Sequence, residues 1–279
     1  MIKRKVIKRR DRTAPLRFIL AVLACIFFVF PVLWMILTGF KTGNQAFSNS
    51  ASLFFKPTLQ NYREVFLGSG FKSALVTSLE AVSLAVSLTI LLASGLAYPM
   101  ARFPTKTTQR LSGWIISLRI VPPIVTIIPL FLLLRTLHLA GTIWSLVVVY
   151  SFMNMPLAVW LLRGFFKEIP REIEEAAQID GLDQFRTFFK IVLPLTTPGI
   201  VATGLLSFMF SWNDFLFANI FSGATTRTAT VGLTEFVTPV GVAWTKIMAA
   251  GTLVVIPVWI AALLAQKFLV RGLTMGSVK

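Results

Sequence analysis

The chain has 279 residues, of which 56% are hydrophobic and only 14% charged, and its mean hydropathy is +0.78. A soluble domain carries about 25% charged residues, so this composition excludes an ordinary water-covered globule and points to lipid as the solvent. The formal charge of +16 sits in short stretches between apolar runs, which suits orientation in a bilayer and argues against nucleic acid as a partner, because no polar region of domain size carries it. Cys25 is the single cysteine and His138 the single histidine. That rules out an intramolecular disulfide or a cysteine zinc cluster and speaks against a Ser/His/Asp triad or a histidine metal site.

In chain order, residues 1–15 form a basic cytoplasmic N-terminus. Met1–Arg12 followed by an apolar run resembles a signal peptide, but Phe18–Phe40 is too long for one and ends on no Ala-x-Ala site. It is read as a retained first span. A spanning helix needs about 20 mostly apolar residues. Leu16–Phe40, Ser73–Ala101, Leu111–Leu134, Thr142–Leu162, Pro198–Phe221 and Ile247–Leu269 qualify, so residues 16–269 are predicted to be an all-α, six-helix domain. The adjacent Pro122 and Pro123 predict a kink in the third span, since neither supplies a backbone N–H. With the N-terminus inside, Lys and Arg are concentrated on one side: Arg102, Lys106, Arg110, Arg163, Lys167, Arg171, Arg186, Lys190 and Lys267 join the N-terminal cluster. Only Lys41, Lys56, Arg63, Lys72, Arg135, Arg227 and Lys246 fall opposite. This asymmetry puts both termini in the cytoplasm.

Charges within spans are costly, by about 2.5–3.5 kcal/mol at a helix centre, and so mark a pathway or a pairing. Glu80 is near enough to the outer end of its span to reach the interface. Arg119, ahead of Pro122 and Pro123, suits either a polar or anionic part of a solute or a carboxylate partner. Trp212-Asn213-Asp214 sets a ring beside amide and carboxylate groups, a combination that binds sugars through C–H faces and hydroxyls. A packed interhelical contact is the other reading.

The inner loop 163–198 differs in kind, with six of the chain's eleven acids. Pro170 suits a helix start, Glu172, Glu174 and Glu175 complement the first turns, and Gly181 suits a stop. A short helix over Pro170–Asp180 is predicted, presenting Ile173, Ala176, Ala177 and Asp180 on one small face for docking. Phe185, Phe188 and Phe189 are predicted to bury against the membrane domain. The alternative is a solvated acidic connector. Beyond the last span, residues 270–279 are too polar for lipid and form a cytoplasmic tail.

Glu175-Ala176-Ala177, Gly181, Ile191 and Leu193-Pro194 have the spacing of the EAA signature of binding-protein-dependent ATP-binding-cassette importers. Over nearly its whole length the chain resembles the carbohydrate-type permease subunits of the maltose transporter class, through Pro57–Tyr62, Pro156–Trp160, Ser211–Phe215 and the tail Val270–Lys279. It is similar to polyol permeases around Arg119–Pro123. The resemblance implies a type I importer permease in the bacterial inner (cytoplasmic) membrane, moving a sugar, polyol or sugar derivative inward. It implies a second, paralogous permease, two copies of a cytosolic ATPase and an extracytoplasmic solute-binding protein. ATP and magnesium belong to the ATPases, and this chain has no G-x-x-x-x-G-K-[ST] loop. On this reading Glu175, Ala176, Ala177, Asp180, Gly181, Ile191, Leu193 and Pro194 couple to the ATPase. Arg271, Gly272, Leu273 and Lys279 reach it from the tail. Arg119, Pro122, Pro123, Trp212, Asn213 and Asp214 line the path. Apart from the resemblance, the length and small hydroxyl-bearing residues of the outer loop Ser222–Lys246 suggest that it meets the binding protein through Thr225, Thr226, Arg227 and Thr228; a solvated connector is the alternative. A self-contained secondary transporter or channel is the competing class, and its marks are mid-span acids or inverted repeats. A membrane enzyme lacks the clustered acids, nucleophiles or ligands it needs.

Overall fold

The computed structural model describes residues 13–47, 54–239 and 241–275, so the basic cluster Met1–Arg12 and Lys279 lie outside the described residues. The chain begins with α1 (Ala14–Gly39), followed by the short α2 (Gly43–Phe47) and α3 (Gln60–Arg63) and the long α4 (Phe71–Arg102). Next come α5 (Lys106–Ser117), α6 (Pro123–Thr136) and α7 (Ile143–Glu168). The inner loop holds α8 (Arg171–Ile179), α9 (Gln184–Thr187) and α10 (Leu193–Leu195), and α11 (Thr197–Trp212) and α12 (Leu216–Phe221) lead outward. The outer loop contains α13 (Ala229–Gly232) and an antiparallel hairpin, β1 (Val237–Thr238) with β2 (Gly241–Val242), before α14 (Trp244–Met275).

Among the described residues, α1, α4, α7 and α14 are long and apolar enough to cross a membrane unaided. Two further spans are broken. Lys106–Ile120 meets Pro123–Thr136 at 100°, and Gln184–Leu195 meets Thr197–Trp212 at 73°. Counting each bent pair as one span gives the six expected from sequence. The first break falls at the paired prolines: Val121 and Pro122 are extended, as the residue before a proline prefers, and Pro123 starts α6. The predicted fifth span Pro198–Phe221 is not one helix. It stops at Trp212 and resumes at Leu216, because Asp214 takes up the free N–H groups of the second segment.

The centre is the α4–α7 pair, the most extensive helix contact in the molecule. Along α4, Ala81, Ala85, Thr89, Ala93, Ala97 and Ala101 recur every fourth residue and are all buried; α7 answers with Leu146, Tyr150, Asn154, Ala158, Leu162 and Phe166 at the same interval. In lipid there is no hydrophobic drive between helices, so small residues that admit close backbone approach provide the packing. Ser151 Oγ reaches across to the Ala85 carbonyl at 3.1 Å.

Helix α1 is exposed along most of its length and packs chiefly on α14. Its outer end is clamped by Asn61 and Tyr62 of α3. Asn61 Nδ2 donates to the Gly39 and Lys41 carbonyls at 2.9 and 2.7 Å, while its Oδ1 accepts from Thr245. Tyr62 donates to the Ile36 carbonyl at 3.2 Å. These contacts satisfy carbonyls that a helix end leaves orphaned.

Candidate functional site

The inner loop folds as its sequence pattern requires. Pro170 caps α8 with an extended ψ of 138°, and the helix runs to Ile179. Gly181 then takes φ +88°. Its N–H bonds the Gln178 carbonyl at 3.0 Å and the Leu182 N–H bonds that of Ala177 at 3.1 Å, the paired closure of a Schellman stop. Ile191 and Leu193 are half-buried, and Pro194 is exposed in α10, where the chain bends into α11.

The docking face needs correction. Ala177 is turned inward and buried, beside Glu174 at 6% exposure. The outward surface carries Glu172, Ile173, Glu175, Ala176 and Asp180, with Ile179 86% exposed. The helix is tilted in this way because Glu174 binds Arg102, the last residue of α4, in a buried ion pair, and accepts a hydrogen bond of 2.7 Å from Tyr98. The three phenylalanines also divide. Phe188 packs on Tyr98 and Phe166, whereas Phe185 and Phe189 stay exposed and line a large apolar groove with Leu193 and Pro194.

A second cleft of about 430 Å³ lies where the broken spans approach α7, lined by Arg119, Pro123, Tyr150, Asn154, Phe210, Ser211 and Asp214. Arg119 lies over the Phe210 ring at 4.8 Å and has no carboxylate partner among the described residues. Asp214 accepts from the Ala218 N–H at 2.9 Å and the Phe217 N–H at 3.5 Å, capping α12. The buried Tyr150 hydroxyl faces this carboxylate but lacks hydrogen-bond geometry to any described group. Asn154 Nδ2 donates to the Tyr150 carbonyl and to Ser211 Oγ, each at 2.8 Å. Loss of the Asp214 cap in Asp214→Ala should cost about 1 kcal/mol, and Asp214→Asn only a few tenths; thermal unfolding in detergent checks both.

Not all the predicted path residues meet there. Trp212 is 3% exposed, stacks on Phe208 and donates Nε1–H to the Val254 carbonyl of α14 at 3.1 Å, away from the cleft wall. Asn213 is exposed, and its amide turns back to the Met209 carbonyl. Pro122 sets the break without lining the cleft. Tyr150 and Asn154 went unremarked in the sequence, and Ser211 entered only as the first residue of a resemblance stretch. The clue was present: Tyr150 and Asn154 are polar groups four residues apart, hence on one face of an apolar helix.

The outer loop is more ordered than its composition suggests. Thr226 Oγ1 accepts from the Gly223 N–H at 2.7 Å and donates to the Gly141 carbonyl at 2.8 Å. A Cβ at Gly223 would lie 2.4 Å from that carbonyl oxygen, so only glycine fits. Thr228 is buried and caps α13, and Arg227 pairs with Glu235 at 2.9 Å. Thr230 ties the loop to the Asp214 carbonyl at 2.7 Å. Of the four positions predicted for partner contact, Thr225 and Arg227 are exposed, and Thr226 and Thr228 serve the loop itself. At the other end, the backbone of Arg271, Gly272 and Leu273 continues the helix α14.

A family profile for the inner membrane component of binding-protein-dependent transport systems matches residues 85–275. The trehalose/maltose transport system permease MalG of Thermococcus litoralis is 34% identical, covering 93% of this chain and 94% of its own. The sulfoquinovosyl glycerol transport system permease SmoH of Agrobacterium fabrum is 33% identical over 95% and 94%. A probable ABC transporter permease of Sinorhizobium fredii, y4oR, is 38% identical over 90% and 91%. A chain from the crystal structure of a bacterial ABC transporter for import of the acidic polysaccharide alginate superposes with a TM-score of 0.75 at 20% identity, covering 95% of this chain and 99% of that one. The chain belongs to the family of inner membrane components of binding-protein-dependent transport systems. It is a multi-pass ABC importer permease with the type I fold, as its signature residues implied.

Proposed function

We propose that this permease conducts a sugar or sugar derivative into the cytoplasm, as one of two paralogous permeases driven by two ATPase subunits that bind ATP and magnesium. The observation that carries the coupling role is α8, a helix with a stringent glycine stop that turns Glu175, Ala176, Ile179 and Asp180 outward on a chain without a phosphate loop of its own. Its inward face is tied to α4, so a partner that grips the outward face has a firm handle. The sugar class is supported by the relatives named for trehalose/maltose and sulfoquinovosyl glycerol transport. The cleft chemistry agrees: a carboxylate, an amide and the hydroxyls of Thr126, Tyr150 and Ser211 sit beside aromatic Phe210 and Phe217. Affinity purification of the tagged chain from its own membranes tests the assembly. An ATPase and a second permease should come with it in fixed ratio, and their consistent absence would favour the self-contained transporter instead. A thermal-shift screen of the associated binding protein against neutral and acidic sugars then tests the substrate class.

The outer loop is proposed to meet that binding protein through its exposed positions. In a Cys25→Ser background, Thr225→Cys and Val237→Cys should crosslink to it when nucleotide holds the ATPases closed. Thr228→Cys, at a site only 3% exposed, should not. Crosslinking from outer positions elsewhere but never from Thr225 or Val237 would make the loop a connector.

A further inference from the structure

Two adjacent glutamates in the coupling helix have opposite surroundings. Glu175 points outward. Glu174 is sealed against the inner end of α4, where its side chain and that of Arg102 are 8% and 7% exposed. The contact is more than one ion pair. Tyr98, one turn before Arg102, donates to the second oxygen of Glu174 at 2.7 Å. Arg102 Nη2 also donates to the Ile169 carbonyl at 3.1 Å, and Arg171 Nη2 returns a bond of 2.9 Å to the Arg102 carbonyl. Arg171, the first residue of α8, thus holds the backbone end of α4, and Arg102 holds the link between α7 and α8. Phe166 and Phe188 close over Tyr98 at 5.7 and 4.6 Å between ring centroids, which keeps water from the pair and leaves it only weakly screened.

We propose that Glu174 and Arg102 are positioning residues for energy transfer: they lock α8 to α4 in one register, so that displacement of the coupling helix moves α4 as a rod. Apolar contacts alone can slide past one another. Directional charge-assisted bonds cannot do so without breaking, and setting register is the best-attested use of a buried polar contact. The far side of the route is equally firm. The small-residue stripe from Ala81 to Ala101 seats α4 on α7, whose Tyr150 and Asn154 form the wall of the cleft. The path therefore runs from α8 through Glu174–Arg102 to α4, then through the α4–α7 packing to the cleft. The signature residue Glu175 is left for the partner, and its neighbour carries the motion inward.

This inference rests on the ATPase-coupling reading above, and the test separates the two. The complete transporter is reconstituted in proteoliposomes in a Cys25→Ser background with Ser117→Cys as reporter, an exposed position beside the cleft-lining Leu118 and Arg119. Maleimide labelling at Ser117→Cys is compared with and without ATP and vanadate, alongside ATP hydrolysis and the amount of ATPase retained. Glu174→Gln breaks the pair but leaves Arg102 buried without a counter-charge. The double variant Arg102→Met/Glu174→Met removes both charges and keeps apolar bulk, so it is the decisive one. The expected result is that the double variant retains the ATPase and hydrolyses ATP while the nucleotide-dependent change in labelling is lost. A double variant that keeps that change overturns the proposal, as does one that no longer retains the ATPase, since the pair would then serve assembly. Ala176→Trp, on the outward face, is the control. If it also leaves the labelling response intact, the coupling reading itself has failed; if it abolishes the response and the double variant does not, only the present inference falls.

Discussion

Replacing Gly181 by proline should reduce transport to a few per cent of wild type or less while leaving the protein in the membrane. The residue sits at φ +88°, whereas proline is confined near −65°. The substitution also removes the N–H that bonds the Gln178 carbonyl. Proline in a hydrogen-bonded helical position costs about 3 kcal/mol, and each 1.4 kcal/mol is a factor of ten in the population of the native closure. The effect is local, because nothing approaches the site within 4 Å, so the spans should still insert. The assay is uptake into membrane vesicles, normalised to the amount of protein in the membrane, with ATP hydrolysis followed in parallel. Unimpaired uptake with fully stimulated hydrolysis would mean that the shape of this helix end does not matter for coupling. Gly181→Ala should lie between, since a left-handed alanine costs roughly 1–2 kcal/mol.

The second large effect is expected at Trp212, and it is a loss of stability. Trp212→Ala should destabilise the protein by about 3–5 kcal/mol, the range for removing a buried aromatic side chain. The indole is 3% exposed, stacked on Phe208 with ring centroids 5.3 Å apart, and bonded through Nε1 to α14. Trp212→Phe keeps most of the contact and forfeits one hydrogen bond, worth about 1 kcal/mol. Thermal unfolding in detergent gives the stability and normalised uptake the function. A structural anchor predicts that uptake follows the amount of folded protein in both variants. Loss of uptake in Trp212→Phe at unchanged stability would instead make the ring a sugar platform and contradict its place in the packing.

These two residues show where reading the chain succeeds. Gly181 was legible because its role is local: an acidic first turn, a helix length and a glycine stop are set by neighbours in sequence, and the backbone obeys them. The spans and the Pro122–Pro123 break were legible for the same reason, since hydropathy and a missing N–H act within one segment. Trp212 was ambiguous, because indole beside amide and carboxylate is equally good chemistry for a sugar and for a neighbouring helix. Only the seating of α11 on α14 decides which surface the ring meets. Thr226 and Thr228 were ambiguous likewise. Hydroxyl-rich loops look adaptable in sequence, yet Thr226 is used up bridging Gly223 to Gly141, a residue 85 positions away from it in the chain.

By itself, then, the sequence determined the apolar spans, the break at Pro122–Pro123, the short inner-loop helix with its stop and the importer family, all of which follow from short-range patterns of apolarity, proline, glycine and signature spacing. The tertiary structure decided which face of each element is free. It turned Ala177 inward and Glu175 outward, took Trp212 into the core, brought Tyr150, Asn154 and Ser211 beside Asp214, and paired Glu174 with Arg102, 72 residues earlier in the chain. The physical reason is rotation about the helix axis. Periodicity gives a helix its stripes, but in lipid apolar stripes are poor guides to the buried side, and close packing of small residues together with a few directional polar contacts sets the angle at which each helix is held.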